Sequence, residues 1–248
     1  MSEIAQAVDR ALLTMIAAAD EGPRSIREIS ETLGISTTAA RRVVITLHRE
    51  AMLRKREDGR YDIGPRLIRI TEHLFGRFAL RAHPEMAGLA TRAGRSVILT
   101  GFRADSAIVL HQVDPDPLRL RIDYRTDYSR ELVHGADGLV ILANLNAARR
   151  SRLVLESGIA GLERRLAEIR SAGHLLQRNP VWGELPCLSA PIVDENIGIT
   201  GALTLVGSGL DDELDAWVDR TVGAANAVGR LLTELTRSPL DEHEAEQG

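Results

Sequence analysis

The feature that most restricts how this chain folds is a short helical segment with a clear signal at each end. Residues 25–28 read Ser-Ile-Arg-Glu, a capping box in which the Ser25 hydroxyl and the Glu28 carboxylate each accept from the other residue's amide. Gly34 permits the left-handed conformation that ends a helix, and Ser36 is a good N-cap for the helix that follows. Two helices joined through a glycine turn in this way predict a helix-turn-helix.

The second of these helices, predicted over residues 37–52, has two different faces. One face is apolar and is formed by Ala39, Ala40, Val43, Val44, Leu47 and Ala51. The start of the helix and its other face carry hydroxyl, guanidinium and imidazole groups, which can form hydrogen bonds with base edges and phosphates. One aliphatic side chain on this face can contact a thymine methyl group. The DNA contacts predicted here are Ser36, Thr37, Thr38, Arg41, Arg42, Ile45, His48 and Arg49.

A basic β-hairpin, or wing, is predicted directly after this helix. Asp58-Gly59 is a strong signal for a two-residue turn. The phosphate contacts predicted from the wing are Arg54, Lys55, Arg56 and Arg60. Residues 41–69 hold nine Lys and Arg against four acids, although the whole chain has a net charge of −4. Because only the face that contacts DNA must be positive, the negative net charge does not exclude DNA binding. A run of basic residues by itself is also typical of a solvent-exposed face.

Composition limits the other classes of protein that this chain can represent. Its 248 residues, of which 44% are hydrophobic, are enough for a real core. A single cysteine, Cys187, excludes an internal disulfide framework. We expect a soluble cytoplasmic protein, because no signal peptide and no apolar run of about 20 residues is present. Scattered histidines and the absence of a nucleotide-binding or nucleophile-elbow motif predict no metal, no cofactor and no catalysis.

Five segments of the N-terminal third, residues 8–12, 25–29, 33–36, 42–47 and 61–67, share a common pattern with a known family. Through them the chain resembles the IclR family of bacterial transcriptional regulators, and the resemblance extends over most of the chain. The last of them, Tyr-Asp-Ile-Gly-Pro-Arg-Leu, is similar to the family's passage from the wing into a linker helix. The resemblance implies an α+β chain: a winged helix-turn-helix (residues 1–64), a linker helix (65–82) and a GAF-like effector-binding and oligomerisation domain (83–238). The last ten residues, 239–248, are expected to be an acidic flexible tail.

The pattern of the second half agrees with a GAF-like antiparallel sheet flanked by helices. Strand-like runs lie at residues 96–102, 107–113, 118–124, 187–193 and 199–206. Helical runs lie at residues 137–144, 147–156, 162–172 and 211–237.

The resemblance also implies an effector site between a loop that leads into a helix and the late strands. The residues carried over are His134, Gly135, Ala136, Asp137, Gly138, Leu185, Cys187, Thr204 and Val206, with Trp182 as a cover or an edge contact. Two departures matter: Leu139 replaces the family's usual Lys, and Asp137 replaces a small or apolar residue. Together they disfavour an anionic ligand and favour a neutral or hydroxylated one. The alternatives are an ordinary helix start for Asp137 and a core position for Cys187.

These observations predict a sequence-specific DNA-binding regulator of a metabolic, catabolic operon. Its partners would be double-stranded DNA with a pseudo-palindromic operator, a small-molecule effector and further copies of itself, as a homodimer or a dimer of dimers. The alternative is a winged-helix module that binds protein, with a second domain that dimerises but senses nothing. A Cys187 nucleophile activated by His111, His134 or His174 would make the second domain an enzyme, but no motif indicates such a pair.

Overall fold

The computed structural model describes residues 5–115, 129–179 and 184–236. The chain divides into two compact units, Met1–Phe75 and Gly76–Gly248. Each is described separately below.

The first unit is a three-helix domain with a two-stranded hairpin. Its helices are α1 (Gln6–Asp20), α2 (Ile26–Thr32) and α3 (Thr37–Arg49), and its strands are β1 (Leu53–Lys55) and β2 (Tyr61–Ile63). Both bonds of the predicted capping box at Ser25 and Glu28 are present, which confirms that start of α2. Helix α3 ends at Arg49 rather than at residue 52, since Ala51 adopts a positive φ of 55°. The core of this unit is formed by Ala18, Ile29, Ala40, Val44, Leu47, Leu53 and Tyr61.

The turn of the wing is longer than predicted. The strands are antiparallel, and their register ends at Lys55 opposite Tyr61. The amide of Arg56 donates to the carbonyl of Arg60 over 2.8 Å, and Gly59 has a φ of +79°. The prediction of a two-residue turn is therefore wrong: three residues close the hairpin, with the glycine in the left-handed position that such a loop requires.

Helix α4 (Arg66–Ala93) passes from the first unit into the second. The sequence predicted an end near residue 82, and Pro84 lies inside the observed helix. Proline removes one backbone bond and disfavours a helix interior. Here Ala82 and Met86, on either side of it, are both fully buried in the same apolar core. Tertiary packing therefore outweighs the local preference against continuing the helix.

The second unit is built on a six-stranded antiparallel sheet of order β5-β4-β3-β8-β7-β6. The strands are β3 (Ser96–Arg103), β4 (Ser106–Val113), β5 (Ser129–Glu131), β6 (Leu175–Asn179), β7 (Leu185–Asp194) and β8 (Gly198–Val206). The helices are α5 (Ala136–Asn144), α6 (Ala147–Ser157), α7 (Leu162–Ala172) and α8 (Leu214–Thr236). The predicted α+β class and antiparallel sheet are confirmed.

Two strands of this sheet were not predicted, and one predicted strand is not described. Strand β5 reads Ser-Arg-Glu and β6 reads Leu-Leu-Gln-Arg-Asn, so neither shows an alternating apolar pattern. Both lie at the edges of the sheet, where only one neighbouring strand constrains the sequence. The strand predicted at residues 118–124 lies outside the described residues, as does the acidic tail at residues 239–248.

The two faces of the sheet differ in chemistry. Side chains alternate along a strand, so a register fixes which residues share a face. Val97, Leu99, Leu188, Ala190, Leu203 and Leu205 lie on one face, in an apolar core shared with α4 and α8. On the other face Ile98 is opposite Thr204, and Thr204 is opposite Ser189. The hydroxyl groups of the central strands therefore lie on the face covered by α5.

Candidate functional site

The outward face of α3 carries exposed cations, Arg41 and Arg42. Thr38, Arg41, Arg42 and Ile45 are all exposed. Arg41 and Arg42 have no ion-pair partner within residues 5–115, 129–179 and 184–236. The Ser36 hydroxyl caps the helix by accepting from the amide of Ala39 over 3.2 Å. A cationic face that is not neutralised by the protein is what a phosphate or a base edge requires.

Most of the other predicted phosphate contacts have intramolecular carboxylate partners. Arg54 and Arg56 both lie against Asp62, at 3.1 Å and 3.8 Å, and Arg49 lies 3.0 Å from Glu50. Lys55 is exposed on β1 and has no ion-pair partner in the described part of the chain. Among the basic residues of the wing, Lys55 is therefore the one whose charge is not shared with a carboxylate in the described part of the chain.

Arg60 ties the wing to the second helix. Its guanidinium lies 2.8 Å from a carboxylate oxygen of Glu28, the residue that completes the capping box of α2. The Ser25 amide, which donates to the Glu28 carboxylate over 2.7 Å, lowers the pKa of that carboxyl, and the Ser25 hydroxyl and the charge of Arg60 act in the same direction. Arg60, predicted to contact phosphate, thus positions the wing. The sequence did not indicate this contact, because 32 residues separate the two partners.

His48 is exposed but is also bonded within its own domain. Its Nδ1 lies 3.1 Å from the carbonyl oxygen of Leu53, and its ring meets Tyr61 edge-on at a centroid distance of 5.8 Å. The imidazole therefore joins the end of α3 to the wing.

Several residues predicted to bind an effector converge on the α5 face of the sheet. Ile98, Val109, Ala136, Cys187 and Val206 form a small buried apolar cluster, against which Leu185 packs. We call these residues the sheet-face cluster. They come from β3, β4, α5, β7 and β8, so the start of α5 lies directly over the middle of the sheet.

Asp137, which the sequence marked as a departure from the family pattern, is part of a buried ion pair. It is buried, with 5% of its surface exposed, and it pairs with the guanidinium of Arg130 from β5. Thr100 donates to its other oxygen over 2.8 Å. Leu139 is buried in a separate apolar core rather than facing the cluster. Leu139 stands where the family usually has a Lys, so the sequence predicted no positive charge here. The structure places the guanidinium of Arg130 beside Asp137 instead, and the sequence analysis did not select this arginine.

Gly135 makes room for this ion pair. Its φ is +77°, and a Cβ at this position would meet the guanidinium of Arg130 at 2.8 Å. Gly138 allows a second close approach, because a Cβ there would lie 2.8 Å from the carbonyl oxygen of Leu132. The two glycines of the loop predicted to bind an effector thus let backbone and guanidinium pack closely at the start of α5.

Cys187 and Thr204 have defined partners beside the cluster. Burial raises the pKa of the Cys187 thiol to about 12, although the charge of Arg130 opposes this. The thiol contacts the carbonyl oxygen of Leu185 at 3.6 Å. The Thr204 hydroxyl, predicted as an isolated polar group, lies 2.8 Å from the hydroxyl of Ser189. A buried hydroxyl pair thus stands next to the ion pair on the same face.

The two other residues predicted for the effector site are His134 and Trp182. His134 is exposed and lies 3.6 Å from Glu131. Trp182 lies outside the described residues.

The histidines considered as partners of Cys187 have other contacts. His111 lies 3.0 Å from His83 of α4 (Nε2 to Nδ1), and burial, followed by the charge of His83, lowers the pKa of the His111 imidazole. His174 lies against the carbonyl oxygen of Ala172. The described residues contain no group of three potential metal ligands.

Sequence comparison relates the chain to known regulators. It is 25% identical to RhmR of Escherichia coli (strain K12), described as an uncharacterized HTH-type transcriptional regulator, and the similarity covers 95% of each chain. No protein-family model matches. None of the described helices has the length and apolar character needed to cross a membrane.

Solved structures share the fold along most of the chain. IclR of Thermotoga maritima is 20% identical, with a TM-score of 0.56 over 92% of this chain and 99% of that one. An IclR homologue of Microbacterium hydrocarbonoxydans, solved with 4-hydroxybenzoate, is 18% identical, with a TM-score of 0.55 over 90% and 96%. The chain therefore shares the fold of solved IclR structures, and its sequence is similar to that of an HTH-type transcriptional regulator.

Proposed function

We propose that the protein binds operator DNA through α3 and the wing and responds to a small molecule held on the α5 face of its second unit. The observation that carries the proposal is the exposure of two guanidinium groups on the outward face of α3, Arg41 and Arg42, which have no ion-pair partner among the described residues. The fold and the regulator relatives support the same function.

In this proposal α3 is the recognition helix. Arg41 and Arg42 are long enough to donate two bonds to a guanine edge, Thr38 can bond a base or a phosphate, and Ile45, which is 48% exposed, suits a thymine methyl. Lys55 of the wing supplies a phosphate contact. Arg49, Arg54 and Arg56 would contact phosphates only by sharing their guanidinium groups with the carboxylates they already contact.

The organisation proposed from the sequence is retained in part. Residues 1–64 would be the DNA-binding domain and residues 83–238 a GAF-like effector and oligomerisation domain. The segment between them would be a linker that belongs to the longer helix α4. A homodimer, or a dimer of dimers, would place two recognition helices on a pseudo-palindromic operator beside a catabolic operon.

The effector is proposed to act by changing populations, not by chemistry. A ligand can change the free energy of DNA binding only by the difference between its affinities for the DNA-binding and the non-binding conformations of the protein. The Microbacterium relative bound to 4-hydroxybenzoate supports a small organic ligand for this fold. A buried Cys187 thiol with a pKa of about 12 stays protonated near neutral pH, which supports binding rather than nucleophilic catalysis.

The test is a selection of random genomic fragments with the purified full-length protein, followed by mobility shifts on the enriched site. Arg41→Ala should weaken binding to the enriched site and relax the preference for one base pair, by about 1–3 kcal/mol. The control is Arg27→Ala, since Arg27 is an exposed α2 residue already paired with Glu31 at 2.9 Å. A protein that enriches no fragment over random DNA, or an Arg41→Ala variant that binds like the wild type, would contradict the proposal and favour a protein-binding winged helix.

A further inference from the structure

Two arginines of the wing hold the same carboxylate oxygen. Oδ2 of Asp62 lies 3.1 Å from a guanidinium nitrogen of Arg54 and 3.8 Å from one of Arg56. Asp62 stands directly opposite Arg54 in the register of β1 and β2. The two arginines are two residues apart, which is the spacing that puts side chains on one face of a strand. The hairpin therefore gathers two guanidinium groups around one anionic oxygen.

The carboxylate is more enclosed than the arginines that it holds. Only 17% of the Asp62 side chain is exposed, against 62% for Arg54 and 47% for Arg56. The other carboxylate oxygen, Oδ1, accepts from the amide of Ile63 over 2.8 Å, so the strand itself fixes the orientation of the acid. Two positive groups and one negative group leave one positive charge in excess, on two side chains that solvent reaches.

A DNA phosphate is the anion that these exposed guanidinium groups fit. Guanidinium groups donate to phosphate oxygens in the same way as to carboxylate oxygens. A phosphate that approaches the pair must share it with Asp62, because the carboxylate already accepts from Arg54. The two anions also repel each other. Two unit charges about 4 Å apart in water change an affinity by roughly fivefold.

We propose that Arg54 and Arg56 form a phosphate-binding pair, and that Asp62 competes with DNA for this pair and so weakens binding. The inference rests on the proposed DNA binding, and it names the residue that limits the backbone contacts of the wing. Phosphate contacts carry no sequence information. The competition should therefore act on operator and random DNA alike.

The test is the Asp62→Asn variant of the full-length protein. Asparagine keeps the shape of the side chain and an acceptor for the Ile63 amide, but it lacks the charge that holds the two arginines. Binding is measured by fluorescence anisotropy with the enriched site and with random DNA, at salt concentrations from about 50 to 200 mM.

Both DNAs should bind the Asp62→Asn variant roughly fivefold more tightly at the lowest salt concentration, because one charge repulsion is removed. The slope of log K against log salt should steepen by about 0.9–1.8 for each bound subunit, as the wing neutralises one or two further phosphates. If thermal unfolding shows that Asp62→Asn does not fold, Asp62→Ser takes its place, since serine also offers an acceptor at this position.

The matched control is Glu57→Gln, because Glu57 is an exposed acid of the same hairpin with no ion-pair partner in the part of the chain that the structure describes. This variant removes the same formal charge without releasing a guanidinium, so its salt slope should stay within error of the wild type. A double-mutant cycle gives a second readout. Arg54→Ala should weaken DNA binding more in the Asp62→Asn background than in the wild type, because only there is its guanidinium not shared with a carboxylate.

The proposal is overturned if Asp62→Asn leaves the salt slope and the affinity for random DNA unchanged, or if Glu57→Gln steepens the slope equally. It is also overturned if Arg54→Ala costs the same in both backgrounds. In each of these cases the wild type still binds DNA, so the proposed function stands. A protein that binds no DNA, either as the wild type or as Asp62→Asn, removes this inference and the proposed function together.

Discussion

Two cations of the wing should affect DNA binding in different ways. Lys55 and Arg60 are both exposed, and each carries one positive charge. The lysine has no ion-pair partner in the part of the chain that the structure describes, whereas the arginine contacts Glu28 at 2.8 Å. Replacing each by alanine removes the same formal charge. We expect only Lys55→Ala to remove a phosphate contact.

The expected size follows from counterion release. Each neutralised phosphate contributes about 0.9 to the slope of log K against log salt, so a fourfold rise in salt weakens binding by about 3.5-fold per contact. Lys55→Ala should lower the slope by about 0.9 for each bound subunit and weaken all DNA sequences alike. Arg60→Ala should leave the slope within error. Removing the Arg60 side chain should instead reduce the free energy of unfolding by about 0–1 kcal/mol, because the Arg60–Glu28 ion pair is only half buried.

The assay is fluorescence anisotropy with the selected operator and with random DNA, at salt concentrations from about 50 to 200 mM. Thermal unfolding of both variants gives the stability arm. Equal changes of salt slope in the two variants would refute the reasoning, since they would mean that intramolecular pairing does not decide which cations contact phosphate. An unchanged slope for Lys55→Ala would refute the assignment of the wing to the DNA backbone.

Two further predictions concern the second unit. Because the folded-state pKa of His111 lies below its unfolded value of about 6.5, the unfolded chain binds more protons just below that pH, and stability should fall as the pH drops through this range. His111→Gln should reduce that fall in melting temperature between about pH 7.5 and 5.5; an unaltered pH dependence would contradict the burial of this imidazole. Cys187 should react with iodoacetamide far more slowly in the native protein than in denaturant, because its buried thiol has a pKa of about 12. Native labelling at the denatured rate, measured by mass spectrometry, would count against the buried position.

Much of the first unit could be predicted from its sequence because its signals are local. The Ser25–Glu28 box, Gly34 and Ser36 act within one helical turn, and the structure contains the contacts that they predict. The wing was predicted in the right place with the wrong turn, because the same Gly59 suits a two-residue or a three-residue loop. The linker helix implied by the family resemblance was expected to end at residue 82, but α4 continues through Pro84 to Ala93, because Ala82 and Met86 are buried in the apolar core.

The sequence by itself determined the cationic face of α3 and the positions of the four apolar strands of the sheet, because these follow from periodicity and end signals along the chain. Only the tertiary structure decided which charges are available. Arg60 is held by Glu28, 32 residues away, and Thr100 reaches Asp137 across 37 residues. Such partners are brought together by sheet register and helix packing, which no local pattern encodes. Asp137, for which the sequence offered either a ligand-selecting role or an ordinary helix start, is in the folded protein paired with Arg130 of β5.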